Sequence, residues 1–458
     1  MLVHTRCHFP TIPYTLMTDS VRRKRWQWPL LLFLLWGFAF GIRYHYVVHA
    51  QVFQPANVIN ARADAVEYYD YALNLSRYAT FSKAPPSEEP PSSDSFRDPG
   101  YPVLLAAWMK IYGKWNSWYA AVLLSQALLS SLTVVLMVAL ARHWMPGIWL
   151  ALAGLLMSIW PHSVAMSSYL LSETLFGFLA ALGLFLLRIS LERGSTRWAA
   201  ISGIGFSLAA LTNAILIPFS PMLAAYLLAR KKASRKLCAA LAIAAIAVIG
   251  PWMLRNGLLP AGAGQSSSSG RALVNLVQGS WPSYHPAYQA AMRHEPDGVV
   301  ISAAIDREIA TLQSSPSAGL ALIEHRMTSR PGEYVWWYLS KPALLWDWDI
   351  RIGQGDIYVY PTRNSPFKTE PVFRAIAALC RALNPWLFVL AIAGAVLALL
   401  PKAQTSPGPA AAALMLLFVT LIYSILQAEP RYSVPFRGLE IVLATYAASR
   451  ASAAVALL

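Results

Sequence analysis

Apolar residues in this chain are blocked into runs of roughly twenty, separated by short segments rich in arginine and lysine. That pattern leaves few folds open, because about 20 helical residues span the ~30 Å hydrocarbon core of a bilayer. Of 458 residues, 56 % are apolar and only 13 % charged, whereas soluble domains carry roughly a quarter charged residues. The expected fold is an all-α polytopic membrane protein. The net charge of +15 would suggest a nucleic-acid partner. Many of the basic residues, however, fall in short loops on one side, which signals topology and not a binding patch. No nucleic acid is expected.

Arg22, Arg23, Lys24 and Arg25 precede the first apolar run, at about 29–48. A cleaved signal peptide would look similar, but the run is long for a signal core and His49-Ala50 is a poor cleavage site. An uncleaved anchor is expected, and Met17 could be the true start. With the basic end inside, segments near 118–141, 147–167 and 170–190 alternate across the membrane. The stretch 198–229 lies between Arg188, Arg193 and Arg197 on one side and RKKASRK (230–236) on the other. Two basic clusters on one side require a hairpin, turning near 213–221, although each arm is short for the bilayer and re-entrant helices are an alternative. A segment at 237–254 leads outward, and segments at 385–401, 409–427 and 434–450 complete about ten transmembrane helices, with Lys402 and Arg450 inside.

The expected organisation is therefore a cytoplasmic segment (1–28) and a transmembrane core (29–254) with a first outer loop at 49–117. An extracytoplasmic region (255–384) and C-terminal transmembrane helices (385–458) follow. The first outer loop should hold amphipathic juxtamembrane helices. The later outer region has a Ser-rich tip (265–270), and Trp336, Trp337, Tyr338, Trp346 and Trp348 suit the membrane interface. Almost every acid falls outside or at the boundary, and Glu440 is the one well inside a span. The cytoplasmic loops are too short for chemistry, and no GxxxxGK[ST] or strand-borne GxGxxG is present. Cys7, Cys238 and Cys380 do not place two thiols outside for a disulfide, and no His/Cys cluster has metal-ligand spacing. No inverted repeat of the transporter kind is evident.

The chemistry-bearing residues concentrate in a few places. Asp64, Glu67, Tyr68, Tyr71 and Leu75 fall at helical i, i+3/i+4 intervals (64/67/71/75 and 64/68/71/75) and share a face if the segment is a helix. A carboxylate near aromatic rings and lipid can be poised as a proton acceptor; Asp70 and Asp98 are lesser candidates. In RDPGYP (97–102) the prolines and Gly100 set a turn and Tyr101 anchors at the interface, while Arg97 is left to meet an anionic group. In PWMLRN (251–256), Pro251 kinks or ends a span, and Arg255, beside Asn256, emerges at headgroup depth, where its fork matches phosphate oxygens or simply snorkels. EPRYSVP (429–435) supplies Arg431 in the same way before the last span, and Glu173 opens another at the rim.

Taken together, D-x-x-x-Y-x-x-x-A from Asp64, R-x-PGYP, PW-x-x-RN and E-x-RY-x-x-P resemble the C-type glycosyltransferase superfamily, in its branch of protein O-mannosyltransferases and lipid A aminoarabinose transferases. A match around SWPSYHPAY (280–288) extends the likeness. The resemblance implies an integral membrane glycosyltransferase that moves a hexose or pentose from a polyprenyl-phosphate donor to an extracytoplasmic glycolipid, polysaccharide or protein, at a bacterial inner membrane. It implies Asp64 as catalytic base, and Arg255, then Arg97 or Arg431, as holders of the donor phosphate. Relatives often carry Arg-Pro where this chain has Leu211-Thr212-Asn213-Ala214.

Chemistry agrees. Outside the cell an activated sugar must arrive on a lipid, fixed cations must meet the charge of the departing phosphate, and a carboxylate must take the acceptor's proton. Asp64 and Arg255 are expected to meet across a cleft. Direct displacement would invert the anomeric carbon. No cofactor is required, although Asp64 and Glu173 could share a divalent metal. Two rivals are a flippase or transporter of lipid-linked sugars and an O-antigen ligase or polymerase, the latter depending on outer arginines and a histidine such as His285.

Overall fold

The computed structural model describes residues 27–55, 63–260, 268–400 and 407–456. The basic cluster at 22–25, Cys7, Lys402 and the first serines of the 265–270 tip lie outside these residues. The chain is almost entirely helical. The first apolar run forms α1 (Gln27–His49), followed by β1 (Gln51–Val52), which pairs antiparallel with β2 (Thr362–Arg363). The segment that follows, expected from sequence as the first outer loop, holds α2 (Asp64–Tyr78) and α3 (Gly100–Tyr112). Then come α4 (Trp115–Ala141), α5 (Gly147–Ile159), α6 (Pro161–Met166), α7 (Glu173–Arg193), α8 (Thr196–Ala210), α9 (Phe219–Ala229) and α10 (Arg235–Gly257).

Among the described residues six helices are long and apolar enough to cross a membrane: α1, α4, α7, α10, α17 (Pro371–Leu399) and α18 (Pro407–Ile425). The protein is a multi-pass membrane protein. The remaining expected segments are helical but shorter or more polar. The run at 147–167 is split at Trp160, whose extended backbone precedes Pro161, since proline disfavours helix in the residue before it. The hairpin at 198–229 is α8 and α9, joined by a turn that contains a short 3-10 helix (Ala214–Leu216). The last helix, α20 (Arg437–Val455), carries three charged residues, Arg437, Glu440 and Arg450.

Two prolines lie inside helices. Pro251 lies inside α10, which continues to Gly257, and Pro385 lies inside α17, which begins at Pro371. Residues 371–384, placed by the sequence in the outer region, thus form one continuous helix with most of the segment expected at 385–401. Membrane helices tolerate such prolines when neighbours satisfy the freed backbone groups.

Charge is buried among the helices at two places, although Arg437 Nε and Glu440 Oε1 have no partner there. Arg437 donates to Glu440 Oε2 at 2.8 Å, to Asn384 Oδ1 at 3.0 Å and to the carbonyls of Trp346 and Asp347. Glu440, the acid expected inside a span, thus has its cation one turn away. Arg43 in α1 has no acid; it donates to Ser130 Oγ at 2.7 Å and to the carbonyls of Ala39 and Ser158.

The region between α10 and α17 has a small core of its own, built on Val277, Tyr284, Ile305, Leu312 and Ile323. It is formed by α11 (Ser268–Ser280), α12 (Tyr284–Met292), α13 (Pro296–Ser314) and α14 (Pro316–Ser329), and α15 (Pro331–Leu345) joins it to the membrane helices. Two short helices, α16 (Pro366–Thr369) and α19 (Pro430–Ser433), precede α17 and α20. At the junction Gly279 approaches the end of α18 so closely that a Cβ there would fall 1.6 Å from the Leu426 carbonyl oxygen. Lys341 Nζ donates to both the Gly279 and the Leu426 oxygens, at 2.8 and 2.6 Å. Gly279→Ala must push backbone from backbone and unseat that ammonium. It is expected to cost about 3 kcal/mol or more, read as a lowered unfolding midpoint of the purified protein.

Candidate active site

The site is built on the first turn of α2. Asp64 and Glu67 suit that turn because the positive end of the helix dipole favours carboxylates, and Arg77 complements the other end. The helix closes at Ala79, which takes the left-handed conformation (φ 53°). Asn74, buried, donates to the carbonyls of Ser82 and Ala84 at 3.0 and 2.9 Å and pulls the following strap back onto the helix.

That strap returns the chain to RDPGYP. Arg97 Nη2 lies 2.5 Å from Asp64 Oδ1, and the same guanidinium pairs with Glu67. It also rests over the Tyr68 ring, 5.1 Å from its centroid. Gly100 is held because its N–H donates to Leu211 O at 2.7 Å, and a Cβ would meet Thr212 Oγ1 at 2.4 Å. Asp98 is buried; it accepts from Ala214 N at 3.2 Å and pairs with Arg271 at 2.8 Å. The turn at 211–214 is thus used to seat Asp98. Arg271 stands alone just after the Ser-rich tip, with no pattern around it, and sequence reasoning missed it.

The second cation comes from the far end of the chain. Arg431, in α19, places Nη2 2.7 Å from Asp64 Oδ2 and Nε 2.5 Å from Glu173 Oε1. Asp64 therefore has a different guanidinium on each oxygen. Three carboxylates, Asp64, Glu67 and Glu173, share two arginines, and Glu173 Oε2 is buried with no partner. Burial alone would raise the Asp64 pKa, but the charges of Arg97 and Arg431 outweigh it and hold the carboxyl well below its usual range. Both arginines are held charged by the acids around them despite burial. Tyr68 donates to Ser172 Oγ at 3.0 Å beside Glu173, and its ring meets Tyr101 edge-on at 5.0 Å. Tyr101 in turn donates to Gln126 at 2.7 Å. Tyr360 accepts from the N–H of Ala65 at 3.2 Å and so fixes the helix start from the other side.

Arg255 does not meet Asp64. Its guanidinium donates to the Asp94 carbonyl at 2.5 Å, to Asn256 Oδ1 at 2.9 Å and to the Phe81 carbonyl at 3.4 Å. It lies over Trp252, 4.9 Å from the ring. The arginines against Asp64 are Arg97 and Arg431, because the loop that packs on α2 and the short loop before α20 reach it first. Arg255 forms no ion pair among the described residues, and it touches the same 94–97 loop that carries Arg97. His285 is buried, with Nε2 3.0 Å from Glu429 Oε2 but off the line of a hydrogen bond. Glu429 Oε1 accepts from the N–H groups of Arg351 and Ile352.

Asp70 is buried behind the cluster. Burial first, and the charge of Glu67 second, push its carboxyl up to about 7. A raised acid binds its proton more tightly folded than unfolded, so its contribution to stability is greatest near pH 4 and declines as pH rises towards 7. The unfolding midpoint of wild type should show that decline, and Asp70→Asn should remove it.

A metal shared by Asp64 and Glu173 does not fit this arrangement, since Arg431 lies between them with an ion pair to each. Among the described residues no group of three His, Cys, Asp or Glu side chains gathers for a metal. No step is drawn through one.

Residues 93–254 match the model of a family described as dolichyl-phosphate-mannose-protein mannosyltransferase. That segment takes in RDPGYP and Glu173 and stops at Leu254, one residue before Arg255. No curated protein matches the chain. Among solved structures, the chain is similar to an archaeal oligosaccharyltransferase, AglB from Archaeoglobus fulgidus, in complex with an inhibitory peptide and a dolichol-phosphate. The TM-score is 0.51 at 16 % identity, over 93 % of this chain and 50 % of that one. It is also similar to the Archaeoglobus fulgidus oligosaccharyltransferase tethered to an acceptor peptide with an NVT sequon, with TM-score 0.51 and 15 % identity over 93 % and 50 % of the two chains. At these identities the likeness is one of fold. The chain spans about half the length of the solved structures it matches.

Proposed function

We propose that this chain is a C-type glycosyltransferase that transfers a sugar from a polyprenyl-phosphate donor to an acceptor outside the membrane, a reading supported by the family match over 93–254 and by the likeness of fold to AglB. The carrying observation is the paired arginine grip on Asp64: an aspartate at the first turn of a juxtamembrane helix, with a separate guanidinium on each oxygen. Such a carboxylate is a weak base while both cations hold it. A donor phosphate competes for Arg97 and Arg431, whose forks match its oxygens. As they turn to the phosphate, the Asp64 carboxylate regains basicity and takes the proton of an acceptor hydroxyl or amine. The arginines then stabilise the charge on the departing phosphate. Attack from the side opposite the phosphate inverts the anomeric carbon.

The cluster of three acids and two arginines is one positive charge short of welcoming a phosphate. Arg255, bonded only to neutral groups, is the cation free to supply it from the 94–97 side. The AglB complex holds a dolichol-phosphate and a peptide; a lipid-linked donor is carried over to this chain, and its acceptor is a glycolipid, glycan or protein. The proposed setting is a bacterial plasma membrane, with the site on the extracytoplasmic side. A flippase fits less well: Arg43, Arg437 and Glu173 line one cavity of only about 40 Å³, and the two arginines are held there on fixed hydrogen-bond partners. A ligase that relies on His285 is disfavoured by the burial of that ring against Glu429. The test is transfer by purified protein from synthetic polyprenyl monophosphate carrying a hexose or a pentose. Donor left intact in every acceptor mixture would overturn the reading.

A further inference from the structure

We infer that a second pocket, on the face that carries α2, receives an anionic group of the acceptor, a phosphate or carboxylate borne on a sugar. The inference rests on the transferase reading above and names what that reading leaves open. The pocket is open to the surface, has a volume of about 330 Å³ and is lined by Phe53, Gln354, Tyr358, Thr362, Arg363 and Lys368, of which Arg363 and Lys368 are exposed. That is the low end of the range for small-molecule sites, roughly one sugar unit with its charged substituent.

Its charge is one-sided. Two cations line it and no acid does. The Arg363 guanidinium lies 5.1 Å from the centroid of the Phe53 ring and the Lys368 ammonium 4.5 Å from that of Tyr358. Neither forms an ion pair among the described residues, so aromatic faces position these charges without neutralising them. The acids of this part of the chain are spent elsewhere: Glu370 pairs with His45 at 2.7 Å, and Asp356 takes the Trp348 indole N–H and lies 4.0 Å from Arg381. An arginine and a lysine facing one cavity, with a ring on each side, suit a phosphate or carboxylate on a pyranose.

Its place is tied to the site. The pocket is framed by the β1–β2 pairing, in which Gln51 faces Arg363 and Val52 faces Thr362. Tyr360, between Tyr358 and Thr362, accepts from the N–H of Ala65, the residue next to Asp64. The pocket shares no lining residue with the Arg97, Arg255 and Arg431 set assigned to the donor. The segment 358–363 that lines the pocket is thus tied through Tyr360 to the start of α2.

The experiment is calorimetric titration of the full chain in nanodiscs with mannose 6-phosphate, and with mannose as the uncharged control. Wild type is expected to bind the phosphosugar and not mannose. Arg363→Ala/Lys368→Ala is expected to weaken binding by about tenfold or more, with Arg363→Lys retaining most of it; unfolding midpoints verify that the variants fold. Equal binding by wild type and the double variant overturns the site. Two bilayers separate the sources of the anion. Binding that persists in nanodiscs containing phosphatidylglycerol supports an acceptor group, whereas binding seen only in pure phosphatidylcholine assigns the pocket to a lipid headgroup and overturns the acceptor. Because these readouts do not involve the donor, a protein that binds the phosphosugar but consumes no polyprenyl-phosphate sugar refutes the transferase reading while the anion site stands.

Discussion

Asp64→Asn is expected to lower sugar transfer by about 10²–10⁴-fold, the range that a positioned general base contributes, with little loss of folded protein. The second half of that expectation follows from the sharing of charges. Arg97 keeps Glu67 and Arg431 keeps Glu173 when the Asp64 charge is removed. Neither guanidinium is stranded, and the asparagine oxygen still accepts from one of them. Three acids against two cations become two against two, so the cluster is balanced and not broken. Loss of activity with an unchanged unfolding midpoint therefore reports on chemistry. Glu67→Gln should fall well short of that loss, because Glu67 contacts only Arg97. The check is initial rate from a synthetic polyprenyl-phosphate donor for the three proteins side by side. An Asp64→Asn enzyme with wild-type rate removes Asp64 as the base.

Arg431→Met should do the reverse and strike stability as hard as activity. Arg431 is the cation shared by Asp64 and Glu173, and Glu173 is nine-tenths buried with its other oxygen already unpartnered. Removing one partner of a buried pair leaves a charge without compensation and costs about 3–5 kcal/mol. The unfolding midpoint of Arg431→Met should accordingly lie well below that of wild type. Arg431→Lys restores charge but not the fork that reaches two carboxylates at once, and should recover only part of the loss. A midpoint equal to wild type would show that the ion pairs contribute nothing.

These expectations rest on particular contacts, and the sequence disclosed them unevenly. The spacing of Asp64, Glu67, Tyr68 and Tyr71 is a local property of a helix, and α2 forms where that spacing requires it. Long apolar blocks likewise mark the spans, since bilayer thickness acts on each block separately. Proline was less dependable. Pro161 ends a helix, whereas Pro251 and Pro385 sit inside continuous ones, because whether a lost backbone hydrogen bond is tolerated depends on the neighbouring helices. Asp98 met Arg271 and not a donor-binding turn, and nothing around Arg271 in the chain advertises it.

The sequence by itself determined the membrane class, the helix that displays the carboxylates and the inventory of arginines at headgroup depth, because each depends on residues a few positions apart. Only the tertiary structure decided which arginine meets which acid. Arg97 reaches Asp64 across 33 positions and Arg431 reaches Glu173 across 258, while Arg255, equally well placed by motif, is held on the Phe81 and Asp94 carbonyls. Pairings of that kind are set by how helices and loops pack in three dimensions, and periodicity along a chain carries no record of them.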